Sequence, residues 1–159
     1  AAPTDTRAPA VVAALHRKSP ALFYLYAPFL REAPFRHRAP DTLDSDWSSI
    51  LRAAGGRPVA FTEVSYSSAA ENGSSPAKQA EFVRRMRRFL ATSERSRLLF
   101  ARYVPWRDPE PNPAASRDLR GVFLANRGLQ RFDGSPKPAW KELSYKLQVK
   151  SFKAQGARK

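Results

Sequence analysis

Apolar positions in this chain follow two rhythms, short unbroken runs and longer stretches with helical spacing. The runs are Ala21–Tyr26, Pro58–Val64 and Arg97–Val104. Nearly continuous apolar runs of this length are expected of strands buried on both faces. Helical spacing occupies the intervals. Ala8–Lys18 carries Val11, Val12 and Leu15, and Asp41–Ala54 carries Trp47, Ile50, Leu51 and Ala54. Residues 76–92 place Phe82, Val83, Met86, Phe89 and Leu90 on one face. The punctuation agrees. Ser19-Pro20 ends the first helix, because a residue before proline leaves the helical region. Asp41 or Asp44 is a candidate cap for the second helix, and Gly55-Gly56 is its stop. Ser75-Pro76 opens the third. Residues 118–126 read as a helical turn, and Ser135–Pro138 opens a last helix with Trp140, Leu143 and Leu147 on one face.

The order helix, strand, helix, strand, helix, strand, helix predicts right-handed crossovers and an α/β fold with three parallel strands alternating with helices. The 159 residues argue for one domain. Residues 1–149 form its body, and 150–159 are a basic tail expected to fray. Zero cysteines exclude a disulfide framework and thiolate metal sites. His16 and His37 are too far apart in sequence to suggest a ligand pair, and no metal or organic cofactor is indicated. No apolar run is long enough for a membrane span. The N-terminus shows no signal peptide, so the compartment stays open, with secretion or a periplasmic location compatible with a parent enzyme.

In parallel α/β architectures, ligands bind beyond the carboxyl ends of the strands. Glu63 is the anomaly there. A carboxylate ending a strand of Val, Ala and Phe must be paired, hydrated or functional. Simple alternation puts Val59, Phe61 and Glu63 on one face. A structural ion pair and a functional role are both open for it.

Arg57–Ser68 (RPVAFTEVSYSS) resembles the seventh-strand segment of the large clan of retaining (βα)8-barrel glycoside hydrolases, where this glutamate is the nucleophile. Ser65 stands where that pattern usually has glycine. Gly128–Trp140 (GLQRFDGSPKPAW) is similar to the segment that leads such barrels into their last helix. Phe23–Pro28 looks like the sixth strand, and Tyr103–Trp106 falls where the eighth ends. The resemblance implies a partial TIM barrel, strands six to eight, with a carbohydrate substrate and Glu63 as the catalytic nucleophile. Tyr26 is then a candidate to hydrogen-bond Glu63, or a packing tyrosine. Trp106 and Tyr66 are candidates to stack on sugar, or core residues. Trp47 and Trp140 lie on helical apolar stripes and read as core. Arg102 falls by alternation on the Trp106 face and could pair with Glu63, unless a bulge turns it outward.

In this clan the acid/base follows the fourth strand as Asn-Glu, and the chain contains no such dipeptide. Glu71, Asp108 and Glu110 are loop carboxylates that could substitute. The expectation is an inactive fragment or degenerate copy, since three strands cannot close a barrel of eight. Its exposed sheet would need the missing barrel portion or self-association.

Charge supplies a rival reading. The net charge is +14, with Arg84, Arg85, Arg87 and Arg88 on one helix and Lys146, Lys150, Lys153, Arg158 and Lys159 at the end. This permits non-specific polyanion or nucleic-acid binding. No nucleic-acid-binding signature and no interleaved aromatics accompany the basic residues. A third reading is a remnant that holds carbohydrate without cleaving it.

Overall fold

The computed structural model describes residues 20–94, 96–114 and 117–144. The helix expected at 8–18, Leu147 and the basic tail lie outside them. Strands β1 (Leu22–Tyr26), β2 (Val59–Val64) and β3 (Leu98–Tyr103) form a parallel sheet in the order β1-β2-β3. Helices α1 (Thr42–Ala53) and α2 (Pro76–Thr92) make the two crossovers. Helix α3 (Leu119–Asn126) follows β3, and residues 138–144 are helical. The described elements are those the sequence pattern predicts, and the fold is an α/β arrangement matching part of a barrel.

Local chemistry explains the ends of the helices. Ser75 Oγ accepts from the Lys78 amide at 3.1 Å, and Pro76 fills the first turn of α2, where no amide is needed. Asp41 precedes α1 but makes no side-chain cap; Asp44 in the first turn pairs with Arg85 of α2 at 2.8 Å. After α1, Gly55 and Gly56 take φ of 60° and 87°, a left-handed stop that side chains resist.

The core lies between the sheet and the two crossover helices. Leu22, Tyr26, Val59, Phe61, Val64, Leu98 and Tyr103 meet Leu43, Trp47 and Ile50 of α1 and Phe82, Val83 and Met86 of α2. The Trp47 indole lies flat on Phe61, with centroids 4.0 Å apart and planes at 11°. Phe89 meets Trp47 edge-on. The opposite sheet face is open. Phe23 and Leu25 are 64% and 66% exposed, and Phe100, paired with the same Ala60 as Phe23, is 46% exposed. The sequence reading of strands buried on both faces therefore fails on this side. In a full barrel these positions would point inward and be covered by the other strands.

Truncating Phe61 removes the ring at the centre of this core. Phe61→Ala is expected to cost about 3–5 kcal/mol, read from the shift in urea unfolding midpoint at constant slope.

Candidate active site

β2 departs from strict alternation, and this sets the direction of Glu63. Tyr24 and Leu25, consecutive in β1, pair with Phe61 and Glu63, so Thr62 is an extra residue. Towards β3, Phe61 and Val64 pair with Ala101 and Tyr103, so two residues of β2 face one. Thr62 Oγ donates to the Tyr24 carbonyl at 3.2 Å across this bulge. Val59, Phe61 and Val64 all face the helices, while Glu63 sits beside Leu25 on the open face. This corrects the simple alternation that grouped Glu63 with Val59 and Phe61. Bulges of this kind re-aim one side chain without ending the strand.

Glu63 thus opens into a groove of about 260 Å³ with Leu25, Tyr26, Ala27, Phe29, Ser65 and Phe123. Among the described residues it is the only carboxylate in that lining. Its partner is Arg127, just past α3, whose Nη1 lies 2.5 Å from Oε1. The Arg127 backbone is anchored from below, since its carbonyl accepts from the Tyr103 hydroxyl at 3.1 Å. Its guanidinium carbon lies 5.4 Å from the Phe123 ring centroid, a cation–π distance. The Glu63 side chain is 37% exposed and that of Arg127 21%. Partly exposed pairs contribute about 0.2–1 kcal/mol, so orientation is the larger consequence here.

Of the other candidates, Tyr26 shares the groove lining with Glu63, and neither it nor Tyr66 hydrogen-bonds the carboxylate. Tyr26 is buried, and its hydroxyl donates to Asp46 Oδ2 at 2.9 Å, with Arg38 bidentate on the same carboxylate. Its ring packs among Trp47, Phe61 and Phe82, so only the end of its strand borders the groove. Burial, with Asp46 beside it, pushes its phenol far up. Tyr66 is fully buried, donates to the Arg38 carbonyl at 2.8 Å and stacks on His37. Burial raises its phenol to about 12. Neither tyrosine has a free face for sugar. Trp106 is 47% exposed and meets Trp140 edge-on at 4.7 Å, but it lines another groove with Met86, Leu90, Arg102 and Leu143. Arg102 is exposed and makes no ion pair with another described residue; Arg127 takes the place foreseen for it. Glu71 and Glu110 are exposed in their loops.

Asp108 is engaged in a buried ion pair. Its Oδ2 pairs with Lys137 Nζ at 2.5 Å, both nearly buried, and its Oδ1 accepts from the Gly128 amide at 2.7 Å. Burial raises the Asp108 carboxyl and lowers the Lys137 ammonium, each opposed by the other's charge. Lys137 also donates to Ser68 Oγ and the Asn126 carbonyl. Gly128 is required where it stands. A Cβ there would lie 2.3 Å from the Asp108 amide nitrogen.

Three further buried polar residues brace the loops around the groove. His37 Nε2 accepts from the Ser67 amide at 2.8 Å. Asn72 Nδ2 donates to the carbonyls of Phe35 and Leu119. Gln79 Nε2 donates to the carbonyls of Tyr66 and Gly128. An amide on the stripe shared by Phe82, Val83 and Met86 was a visible signal for Gln79. Nothing in the sequence distinguished Arg127 among 28 basic residues.

The basic helix is largely occupied by its neighbours. Arg85 pairs with Glu81 and Asp44, Arg84 with Glu142, and Arg87 donates to the Glu142 carbonyl. No described residue group could hold a metal ion, and no described helix is long and apolar enough to cross a membrane.

No protein-family model matches the chain, and no curated protein matches it. Solved structures do. A thermostable mutant of the xylanase Xyn10A from Cellvibrio japonicus is similar in fold, with a TM-score of 0.56 and 12% identity over 90% of this chain and 46% of that one. The catalytic core of a xylanase A gives the same values. The N-terminal xylanase 10B of Clostridium thermocellum gives 0.54 and 18% identity over 86% of this chain and 25% of that one. The chain therefore spans less than half of these relatives, and what it shares with them is the fold, part of a TIM barrel.

Two stability outcomes follow from the buried polar groups. Lys137→Met leaves the Asp108 carboxylate buried without its cation and is expected to cost about 3–5 kcal/mol; a Lys137→Met, Asp108→Asn pair costs less, as a double-mutant cycle would read. His37 is the pH-dependent part. Burial lowers it to about 3, opposed by the Pro28 carbonyl. The unfolded chain binds this proton near pH 6.5, so its stabilising contribution is whole above that value and is lost as pH falls towards about 3. Between about pH 7 and about pH 4.5, the chain should lose about 2–3 kcal/mol more than His37→Gln does, by urea unfolding at both values. Equal losses would mean that the imidazole is not held neutral.

Proposed function

We propose that this chain carries the nucleophile of a retaining glycoside hydrolase, and that Glu63 is that group. The observation that supports it most is the β2 bulge. It costs a strand its regular pairing, and its effect is to turn one carboxylate from the helix side to the open side, at the carboxyl end of the middle strand. That is the end where barrel enzymes do chemistry. The sequence pattern around Glu63, and the fold shared with xylanases, give the same direction.

In this reading Glu63 attacks the anomeric carbon, and the glycosidic oxygen leaves as the glycosyl ester forms. A second carboxyl group, about 5–5.5 Å away, protonates the leaving oxygen and later takes a proton from water. Among the described residues, the lining of the Glu63 groove contains no second carboxylate. The acid/base therefore belongs to the remaining strands of a complete barrel, whether from the same polypeptide or from a partner. Those strands would also cover Phe23, Leu25 and Phe100. A β-xyloside polymer is the substrate class suggested by the solved neighbours.

A carbohydrate-holding remnant is the second reading. It is favoured by the closure of Glu63 Oε1 by Arg127 and by the lone carboxylate. One probe separates the two. The protein as its host makes it is incubated with an activated xylobioside, bearing fluorine beside the anomeric carbon and dinitrophenolate as leaving group. This leaving group needs no acid. A mass increase of one fluoro-xylobiosyl group on the peptide holding Glu63, absent in Glu63→Gln, is expected. Binding of xylo-oligosaccharide without any label would favour the remnant and sink the nucleophile.

A further inference from the structure

The contact between Arg127 and Glu63 has an asymmetric effect on such a reaction, and this inference rests on the nucleophile reading. Nη1 of Arg127 holds Oε1 at 2.5 Å. Oε2 takes no hydrogen bond from the described residues and lies in a partly exposed side chain at the groove. The two oxygens are therefore inequivalent, one restrained and one presented. Arg127 is held at its backbone and at its guanidinium, which bonds Glu63 and lies near the Phe123 ring, while its buried Nε bonds no described residue. Its backbone carbonyl is bound by the Tyr103 hydroxyl, itself buried, and its plane is flanked by Phe123.

We propose that Arg127 is a positioning residue that assists release of Glu63 from the glycosyl-enzyme. Attack by Oε2 turns the carboxylate into a neutral ester, so the attraction to Arg127 weakens during the first half-reaction. In the second half the bond between the anomeric carbon and Oε2 breaks, and its electron pair returns to the carboxylate. Water supplies the new oxygen, and its proton goes to the second carboxyl group. The attraction to Arg127 grows as that charge returns. A fixed cation beside a departing anion stabilises that transition state, and one beside an attacking anion stabilises its starting state. Arg127 thereby favours turnover over accumulation of the intermediate.

The test uses the fluoro-xylobioside label and azide. Azide attacks the anomeric carbon without needing a general base, so release can be timed by the return of the unlabelled mass. The protein as its host makes it is compared with its Arg127→Lys and Arg127→Gln variants for rates of labelling and of azide-driven release. Arg127→Gln should release about tenfold more slowly, with labelling unchanged or faster, Arg127→Lys should fall between, and added guanidinium should speed release in Arg127→Gln. A merely structural arginine would slow both steps together, or neither. Equal release rates in all three proteins overturn the role of Arg127 and leave the nucleophile standing. Absence of any label on the unsubstituted chain removes the nucleophile and this role with it. If Arg127→Gln does not fold, the Arg127→Lys ratio of release to labelling decides: an unchanged ratio overturns the proposal.

Discussion

One extra residue in the middle strand decides how the rest of the carboxyl end is arranged. With regular alternation, Glu63 would enter the layer between sheet and helices, among Trp47, Phe61 and Phe82. Desolvating a carboxylate there without a partner would cost more than the fold can offset. The bulge at Thr62 removes that conflict. It also returns Val64 to the helix side, so the core stays apolar across the end of β2. The carboxylate is left to face the open side, where Arg127 meets it.

A second layer of structure is polar and buried. The loops after β1 and β2, the end of α3 and the segment before the last helix are joined by His37, Asn72, Gln79, Asp108 and Lys137. Each bonds backbone groups of a different segment. Such residues add little net stability for each bond, but leaving a partner unmet is costly. They therefore specify one arrangement of the loops. The Asp108 and Lys137 pair shows the same economy: it is buried, and its remaining bonding capacity is taken by Gly128, Ser68 and Asn126. Arg127 sits one residue before Gly128, so this network fixes the backbone from which its side chain reaches Glu63.

The described strands and helices were legible in the sequence because each rests on short-range pattern: apolar runs, helical stripes, Ser75-Pro76, Gly55-Gly56. Glu63 was legible because a charge in an apolar run is rare. Its direction was not, because period-two reasoning has no means of placing an inserted residue. For Tyr26 and Tyr66 the sequence leaves a packing role and a site role both open, for a related reason. Both sit at the carboxyl end of a strand, but which way a phenol points depends on partners far along the chain, Asp46 and the Arg38 carbonyl. Arg127 was invisible since its meaning comes entirely from a contact 64 residues away. The net charge of +14 says less about the helix than its arginine count suggests, because Arg84 and Arg85 are engaged in local pairs with Glu142, Glu81 and Asp44.

The open sheet face links stability to chemistry. Phe23, Leu25 and Phe100 form an apolar wall on the face that carries Glu63, and parallel sheets are ordinarily covered on both sides. With water against that wall, the Glu63 and Arg127 charges are well solvated and their attraction is modest. Covering it with further strands would bury the apolar side chains and exclude water from the ion pair in one step. Coulombic attraction rises steeply as the surrounding dielectric falls, while the cost of desolvating both groups rises with it. Covering the face and restraining the carboxylate are therefore coupled. The same residues that make the exposed sheet unfavourable in water would, once covered, give Arg127 its strongest hold on Glu63.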